Sequence, residues 1–320
     1  MVYKVIITAP IREEGVKLLE KETELKIFPY PPTEDALMKE ISDVDALLVT
    51  TNVEKITKRL IDNAQKLKII ARHGVGYENV DVNAATKKGI WVTVTPVLSE
   101  TVADHAFALI LCLSRNVCKA NNYMKNKKWV IRDPLIFIGN DVSNKTIGIL
   151  GLGRIGSCIA ERAKGFNMNI LYNDIVRKKD LEEKLNLKFT SLEDLLSESD
   201  YVVISLPLTQ QTIGLIGEKE LKSMKRTAFL INIARGAIVD HNALVKALKE
   251  SWIAGAGIDV FYKEPLPIDD PILELDNVIL TPHIASNTVE CRKRMAITAA
   301  EEILRVLHGE EPKYPVNKIS

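Results

Sequence analysis

Long hydrophobic runs, paired cysteine motifs and an excess of either charge are all missing from this 320-residue sequence. No uninterrupted apolar stretch reaches the roughly 18 residues that a membrane-spanning helix needs. The N-terminal run Met1 to Ile7 is typical of a β-strand rather than of a secretion signal. The sequence therefore predicts a cytoplasmic protein with no membrane partner.

The charges nearly cancel, since 43 Lys and Arg residues stand against 42 Asp and Glu residues. This balance argues against the broad basic face that nucleic acid requires, and it favours an enzyme acting on small molecules. The four cysteines are Cys112, Cys118, Cys158 and Cys291, and none has Cys-x-x-Cys or Cys/His spacing. We therefore expect reduced thiols and no metal site.

The length exceeds that at which one hydrophobic core usually stops growing, so two domains are expected. Strand-like and helix-like runs alternate from Val5 to Val94, and a second α/β series starts at Thr146. Each series predicts a parallel sheet with helices on both faces. The periodic stretch Ser99 to Lys119 predicts one continuous helix that joins the two domains.

A glycine-rich turn with the sequence Gly-Leu-Gly-Arg-Ile-Gly follows the apolar run 146–150 and precedes a helical pattern. Its glycines, Gly151, Gly153 and Gly156, allow a tight turn and close backbone approach to a phosphate, and the helix N-terminus offers unpaired N–H groups. A further strand-like run ends at Asp174, 18 residues beyond Gly156. That spacing is close to the roughly 20 residues expected for the acid that binds the ribose. The pattern predicts a dinucleotide-binding Rossmann domain.

Asp174 also predicts which dinucleotide binds. A carboxylate accepts hydrogen bonds from both ribose hydroxyls but repels a 2′-phosphate, so we expect NAD in preference to NADP. Arg177 and Lys178 follow closely and weaken that preference. We expect residues 99–287 to form this NAD-binding domain. Residues 1–98 plus 288–320 are expected to form a flavodoxin-like substrate-binding domain.

Three later segments place polar residues directly after strand-like runs: Asn232 to Gly236, Gly257 to Pro265, and Thr281 to Ser286. Ligands of open α/β sheets bind outside the carboxyl ends of the strands, so these segments are expected to converge on the cofactor.

Reduction of a ketone needs a cation that polarises the carbonyl, an acid that protonates the alkoxide, and a group that keeps the acid charged. Arg235 fits the first role, His283 the second and Glu264 the third, because a neighbouring carboxylate favours imidazolium. Taken singly, each residue is as compatible with a structural role, but together behind a dinucleotide motif they predict a catalytic set. The other histidines are expected to be structural: His73, His105, His241 and His308.

Over essentially its whole length the chain resembles the D-isomer-specific 2-hydroxyacid dehydrogenase family. The motifs that carry the resemblance are Gly151 to Gly156 with Asp174, Leu230 to Asp240, Asp259 to Pro265, and Thr281 to Ser286. The resemblance implies interconversion of small 2-keto and D-2-hydroxy acids with a nicotinamide cofactor. It assigns the same roles to Arg235, Glu264 and His283.

The resemblance also implies cofactor contacts. The backbone N–H groups of Arg154 and Ile155 are expected at the pyrophosphate, and Asp259 at the nicotinamide side. Further residues are expected to line the cofactor: Pro207, Thr212, Ile233, Ala234 and Ala285. One departure from the family pattern is Ser205, where many relatives have histidine.

For the substrate, the resemblance implies that the backbone amides of Val75 and Gly76 bind the carboxylate. Relatives that handle 3-phosphoglycerate place one arginine at the end of the third strand and another just before this loop, because a phosphate dianion needs strong donors. Arg72 matches the second position, but Thr50 stands at the first. We therefore expect glyoxylate or hydroxypyruvate as the substrate.

Two alternatives remain open from the sequence. The first is D-3-phosphoglycerate dehydrogenase, since Arg72 could carry a phosphate alone. The second belongs to another functional class, an NAD(H)-sensing regulatory protein that keeps the family's catalytic residues. Formate dehydrogenase relatives have glutamine where this chain has Glu264, so the glutamate argues against that activity.

The stretch 99–119 carries apolar side chains off its main stripe, more than one buried face requires. These residues are Phe107, Leu111, Cys112 and Val117. Together with the apolar loop Trp129 to Ile138, they predict a homodimer contact.

Overall fold

The computed structural model describes residues 2–319, so Met1 and Ser320 of the expected substrate domain lie outside the described residues. The chain divides into two compact units, residues 1–98 with 287–320 and residues 99–286. Each unit contains its own parallel β-sheet. The parallel α/β class predicted from the sequence is confirmed.

Within the described part of the first unit, five parallel strands lie in the order β2-β1-β3-β4-β5. Their bounds are β1 (Tyr3–Ile7), β2 (Thr23–Ile27), β3 (Ala46–Val49), β4 (Ile69–Arg72) and β5 (Trp91–Thr93). This order is that of flavodoxin-like sheets.

The second unit, residues 99–286, contains seven parallel strands in the order β12-β11-β10-β9-β6-β7-β8. Their bounds are β6 (Thr146–Leu150), β7 (Asn169–Asn173), β8 (Leu187–Phe189), β9 (Tyr201–Ile204), β10 (Phe229–Asn232), β11 (Gly255–Ile258) and β12 (Val278–Leu280). The strand order reverses at β6, which lies between β7 and β9. Doubly wound sheets bind their ligands at such a switch point.

Helices connect the strands of both sheets, and none within residues 2–319 is long and apolar enough to cross a membrane. The α-helices are α1 (Glu13–Leu19), α2 (Glu34–Met38), α3 (Lys58–Asn63), α4 (Val82–Lys87), α5 (Ser99–Ser114), α6 (Val117–Lys125), α7 (Arg154–Gly165), α8 (Lys179–Leu185), α9 (Leu192–Glu198), α10 (Glu218–Ser223), α11 (His241–Lys249) and α12 (Val289–Leu307). Short 3-10 turns occur at Ile41–Asp43, Gly236–Ile238 and Pro271–Glu274.

Successive side chains of β1 show how the first sheet is buried on both faces. Val5 and Ile7 pack on one face in a cluster that includes Ile303 of α12. Ile6 packs on the opposite face in a cluster that includes Leu37 of α2. Because side chains alternate along a strand, a run in which every residue is apolar indicates a sheet covered on both sides.

The expected single helix from Ser99 to Lys119 is wrong. Helix α5 ends at Ser114, and Asn116 adopts a left-handed conformation with φ of 52° before α6 begins. Asparagine tolerates this conformation better than most residues, so the helix can be interrupted there at little cost. Apolar periodicity alone did not predict the break.

Phe107 is also not available to a partner subunit, contrary to the expectation from its position off the main stripe. Its exposed fraction is 5%, and its ring stacks on Phe166 at a centroid distance of 5.3 Å. Phe166 directly follows α7, so this pair joins two helices of one unit. Phe107 therefore belongs to the core of its own unit.

Replacing Phe107 by alanine is expected to lower the free energy of unfolding by about 3–5 kcal/mol, because it removes a buried ring and leaves a cavity. Urea denaturation at several protein concentrations measures this loss. It should not depend on concentration, since the ring packs within one unit. Val53→Ala, at an exposed position outside the predicted dimer contact, is the control and should change stability by no more than about 0.5 kcal/mol. A Phe107→Ala protein with unchanged stability would contradict the core assignment.

Candidate active site

The glycine-rich turn lies between β6 and α7, as predicted. Gly153 precedes the first residue of α7, and a Cβ atom added there would meet no heavy atom within 4 Å. At Gly156 a Cβ would lie 2.1 Å from the Gly151 carbonyl oxygen, so only glycine allows α7 to approach the turn. The open space at the start of a 12-residue helix fits a pyrophosphate held by backbone N–H groups.

Ser205 contributes to this turn in a way that the sequence analysis did not predict. Its hydroxyl lies 2.7 Å from the Gly151 carbonyl oxygen and 3.2 Å from that of Leu150. Ser205 follows β9, the neighbour of β6, so the hydroxyl ties the glycine turn to the adjacent strand end. Ser205 therefore supports the glycine turn.

Asp174 lies directly after β7 and is also tied to the glycine turn. Its Oδ2 accepts a hydrogen bond from the Leu152 N–H at 2.7 Å, and its Oδ1 accepts one from the Val176 N–H at 3.1 Å. A carboxylate has further lone pairs, so these bonds leave capacity for ribose hydroxyls.

Arg177 is held by an acidic neighbour. Its Nε and Nη2 donate to the two carboxylate oxygens of Glu182 at 2.9 and 2.8 Å. The Arg177 guanidinium and the Tyr172 hydroxyl lower the pKa of Glu182 to about 2. A 2′-phosphate would have to compete with Glu182 for the Arg177 guanidinium.

Three adjacent parallel strands carry the predicted catalytic residues. Arg235 follows β10, Glu264 follows β11 and His283 follows β12, and these strands are paired in register up to their carboxyl ends. Gly236 allows the first two segments to approach, since a Cβ there would lie 2.0 Å from the Phe261 carbonyl carbon. The structure therefore brings the three residues to one edge of one sheet.

His283 and Glu264 form a direct pair, with 2.7 Å between Nδ1 and Oε2. Glu264 Oε1 accepts a second hydrogen bond, from the Phe261 N–H at 3.0 Å. Burial by itself raises the pKa of Glu264, but the hydrogen bonds and the positive charges of His283 and Arg235 outweigh it and hold this pKa below its usual value. Glu264 is therefore an ionised acceptor, Nδ1 carries a proton, and Nε2 is the nitrogen left for a ligand.

Asp259, the first residue after β11, is fully buried and organises the loop that carries His283. Its Oδ1 accepts hydrogen bonds from Thr281 Oγ1 at 2.6 Å and the Ile284 N–H at 2.9 Å, and its Oδ2 accepts one from the Ala285 N–H at 3.0 Å. Burial raises the pKa of Asp259, but hydrogen bonds from His105, Thr281 and these amides outweigh it and keep the pKa low. Asp259 is thus a buried, ionised carboxylate that accepts hydrogen bonds from three residues of the loop after β12.

The backbone of His283 is left-handed, with φ of 53°. Non-glycine residues rarely adopt this conformation, and they keep it where the surrounding structure over-determines it. Here the His283 N–H donates to the carbonyl oxygen of Asp259 at 2.8 Å. The same aspartate therefore holds the loop by both its backbone and its side chain.

A second histidine–aspartate pair supports the segment that carries Glu264. His241 Nε2 lies 3.0 Å from Asp270 Oδ1, and the Tyr262 hydroxyl donates to Asp270 Oδ2 at 3.1 Å. The rings of His241 and Tyr262 are 4.4 Å apart. These contacts pin both ends of the stretch 262–270, so Glu264 lies on a supported loop.

In the first unit, Arg72 is engaged by its own loops. Its Nε donates to the Gly76 carbonyl at 2.8 Å, its Nη1 to the Val49 and Thr51 carbonyls, and its Nη2 to Asn52 Oδ1 at 2.7 Å. The residue is buried. Each terminal nitrogen of Arg72 therefore has a loop acceptor, and the expected contact of Arg72 with the substrate stays a prediction.

His73 is buried, and neither of its ring nitrogens has a hydrogen-bond partner among residues 2–319. Burial and the charges of Arg292 and Arg72 lower the pKa of His73 to about 3. The ring is therefore neutral near pH 7, in agreement with a structural role. The loop that follows presents Val75 and Gly76, whose N–H groups have no acceptor within the described residues.

The second unit also contains a cavity that lies apart from the predicted site residues. A cavity of about 140 Å³ is bounded by the C-terminal part of α5, the start of α6 and the start of β12, and none of the predicted site residues lines it. Among residues 2–319, no group of three His, Cys, Asp or Glu side chains is arranged to hold a metal ion.

Comparisons with known proteins match this chain to one family. The family model for the NAD binding domain of the D-isomer specific 2-hydroxyacid dehydrogenases matches residues 107–285. The chain is 50% identical over 322 residues to the glyoxylate reductase of Pyrococcus horikoshii, which covers 98% of this chain and 96% of that protein.

Solved structures give the same result. A protein of Thermus thermophilus superimposes with a TM-score of 0.92 at 38% identity, covering 98% of this chain and 100% of that chain. An NADPH-dependent glyoxylate/hydroxypyruvate reductase from Sinorhizobium meliloti, in complex with NADP and malonate, has a TM-score of 0.89 at 30% identity, covering 99% and 97%.

The chain belongs to the D-isomer specific 2-hydroxyacid dehydrogenases.

The resemblance stated from the sequence is thus confirmed, as are the oxidoreductase class and the NAD-binding domain. In this dehydrogenase the residues expected to line the cofactor lie in three places. Pro207 and Thr212 close one loop after β9, since Thr212 Oγ1 donates to the Pro207 carbonyl at 2.7 Å. Ile233 and Ala234 are buried after β10, and Ala285 lies in the loop that Asp259 holds.

The first test of the dehydrogenase concerns the charge on Glu264. Glu264→Gln keeps an acceptor for Nδ1 but removes the negative charge that lies 2.7 Å from the ring. The pH above which keto-acid reduction declines should therefore move down, as measured by the pH profile of kcat/KM. His283→Ala should lower kcat by at least about 10²-fold.

Glu218→Gln is the matched control, because Glu218 is a partly exposed carboxylate paired with Lys222. Its profile should overlay that of the wild type. Overlapping profiles for Glu264→Gln and wild type, or near-normal turnover by His283→Ala, would rule out the acid/base pair.

Proposed function

We propose that this dehydrogenase uses NADH to reduce glyoxylate to glycolate and hydroxypyruvate to the corresponding D-2-hydroxy acid, D-glycerate. The observation that carries the proposal is the His283–Glu264 pair, which lies with Arg235 at the strand ends of an NAD-binding domain. The names of the relatives at 47–50% identity support the choice of substrate.

When bound, the nicotinamide supplies the hydride that reduces the keto carbon. The guanidinium of Arg235 binds the substrate's oxygens and offsets the negative charge that develops on the carbonyl oxygen. His283 donates a proton to that oxygen from Nε2, since Nδ1 is committed to Glu264. The C=O group thereby becomes CH–OH and the imidazole is left neutral. Glu264 favours the charged ring before the transfer and fixes its orientation.

The substrate's carboxylate is assigned to the N–H groups of Val75 and Gly76, as part of the substrate-binding role proposed for the first unit. Two adjacent N–H groups without acceptors among the described residues suit the two oxygens of a carboxylate. The hydrogen bond from Arg72 Nε to the Gly76 carbonyl stabilises the loop. Arg72 thus acts on the loop.

Arg72 bears on the phosphoglycerate alternative. A phosphorylated substrate would need a cation at this end of β4, but the Arg72 side chain is buried and bound to loop acceptors. Thr50, after β3, is neutral and bonded to Thr8 and Glu54. Small unphosphorylated acids are therefore the better substrates. The relatives from Pyrococcus horikoshii and Sinorhizobium meliloti are named as reductases, which favours an enzyme over an NAD(H)-sensing regulatory protein.

NAD(H) is the preferred cofactor in this proposal. Asp174 lies at the end of β7 where it repels a 2′-phosphate, and Arg177 is bound to Glu182. The Sinorhizobium meliloti relative is NADPH-dependent, so NADPH-dependent enzymes do occur among the relatives. The cytoplasmic location and the absence of nucleic-acid partners stay predictions.

Steady-state kinetics with glyoxylate, hydroxypyruvate, pyruvate and 3-phosphohydroxypyruvate, each with NADH and NADPH, tests this proposal. The values of kcat/KM should be highest for glyoxylate or hydroxypyruvate with NADH. Asp174→Ser should lower the ratio of kcat/KM with NADH to kcat/KM with NADPH. A kcat/KM for 3-phosphohydroxypyruvate tenfold above that for glyoxylate, about 1.4 kcal/mol of transition-state preference, would refute the substrate assignment. A higher kcat/KM with NADPH would refute the cofactor assignment.

A homodimer is part of the proposal, carried by the loop 129–138. Its large apolar side chains expose 57–82% of their surface: Trp129, Val130, Ile131, Leu135 and Ile138. Apolar surface of this extent is unusual on a monomer. Phe107 is excluded from the contact by its burial.

Sedimentation velocity should therefore give a dimer at micromolar concentration. Ile131→Glu combined with Leu135→Glu should shift it to a monomer, because two charges would be desolvated in the contact. Ile268→Glu, also at a highly exposed apolar position, is the control and should leave the dimer intact. A monomeric wild-type protein would contradict the dimer.

A further inference from the structure

His105 has an environment that a purely structural surface histidine does not need. It lies on α5 with 17% of its side chain exposed. Its Nε2 lies 3.0 Å from Thr281 Oγ1 and 3.4 Å from the buried carboxylate oxygen Asp259 Oδ1. The two residues that it contacts are therefore those that organise the loop carrying His283.

The direction of these hydrogen bonds follows from the single proton that the Thr281 hydroxyl carries. The Thr281 hydroxyl has one proton, and it donates this proton to Asp259 Oδ1 at 2.6 Å. Towards His105, Thr281 Oγ1 can therefore only accept. His105 Nε2 must then carry a proton, and the hydrogen bonds run from His105 to Thr281 and from Thr281 to Asp259.

This chain of hydrogen bonds ends on the two residues that follow His283. Asp259 receives the N–H groups of Ile284 and Ala285, and its carbonyl receives the N–H of His283 itself. Loss of the His105 donor would free the Thr281 hydroxyl to turn away from Asp259. The fully buried carboxylate would then lose a donor that compensates its desolvation, at the point that holds the left-handed His283.

We propose that His105 is a positioning residue, which orients the Thr281 hydroxyl towards Asp259 and thereby holds the loop that presents His283. The inference rests on the proposed function, because it adds a residue to the same site. His105 acts through Thr281 and Asp259 and exchanges no proton with the substrate.

Two substitutions at one position separate the donor from the bulk of the ring. His105→Leu fills similar space without a donor, whereas His105→Gln retains an N–H group that can reach Thr281. The leucine variant should lose about 10–100-fold in kcat for glyoxylate, since misplacement of a reacting group by about 1 Å costs up to that much. The glutamine variant should recover most of it. His308→Leu, which breaks an exposed pair with Glu22, is the matched control and should keep wild-type kcat.

Hydrogen–deuterium exchange of the free protein measures the loop without any substrate. In His105→Leu the amides of Ile284 and Ala285 should exchange at least about tenfold faster, and in His105→Gln they should return towards the wild-type rate. Failure of the proposed function would appear instead as a wild-type protein that turns over no keto acid, and the exchange experiment would still decide the role of His105.

Three results would overturn the inference. The first is wild-type kcat in His105→Leu. The second is a loss of kcat in His105→Leu without faster exchange of the loop amides. The third is equal damage by leucine and glutamine, because the ring's packing rather than its donor would then be responsible.

Discussion

The second unit depends on one constraint, the need to satisfy the fully buried carboxylate of Asp259. A buried charge without partners would cost several kcal/mol, so the chain must bring donors to it. Thr281, Ile284 and Ala285 supply them, and supplying them folds the loop after β12 around the end of β11. His283 lies within that loop, in a left-handed conformation and within 2.7 Å of Glu264. The geometry of the His283–Glu264 pair thus follows from the burial of a neighbouring charge.

Much of this arrangement was predictable from the sequence, because it is written in local patterns. Apolar runs mark strands buried on both faces, and parallel strands place their carboxyl ends at one edge. The segments bearing Arg235, Glu264 and His283 each follow such a run, so their convergence could be expected without coordinates. The glycine turn was predictable for the same reason, since its spacing expresses a close approach of α7 to the end of β6.

What could not be predicted depends on contacts between residues distant in sequence. The stacking of Phe107 on Phe166 decides that an apolar side chain belongs to the core rather than to a partner. The donors of Arg72 go to carbonyls 21 and 23 residues earlier in the chain, so a residue suited to bind phosphate serves its own loop. The left-handed Asn116 interrupts the stretch 99–119, for which the apolar spacing predicted one helix. In each case the side chain's chemistry was visible in the sequence, but its partner was not.

The most direct test of His283 as the proton donor is a crystal structure of the protein with NAD and oxamate, an unreactive analogue of a 2-keto acid. We predict that His283 Nε2 lies about 2.6–3.2 Å from the oxamate carbonyl oxygen, the distance of a proton donor. Arg235 should bind the same ligand, and Asp259 should retain its bonds to the 281–285 loop. An oxamate carbonyl bound by other donors, with His283 Nε2 out of hydrogen-bonding range, would contradict the role of His283 as the proton donor.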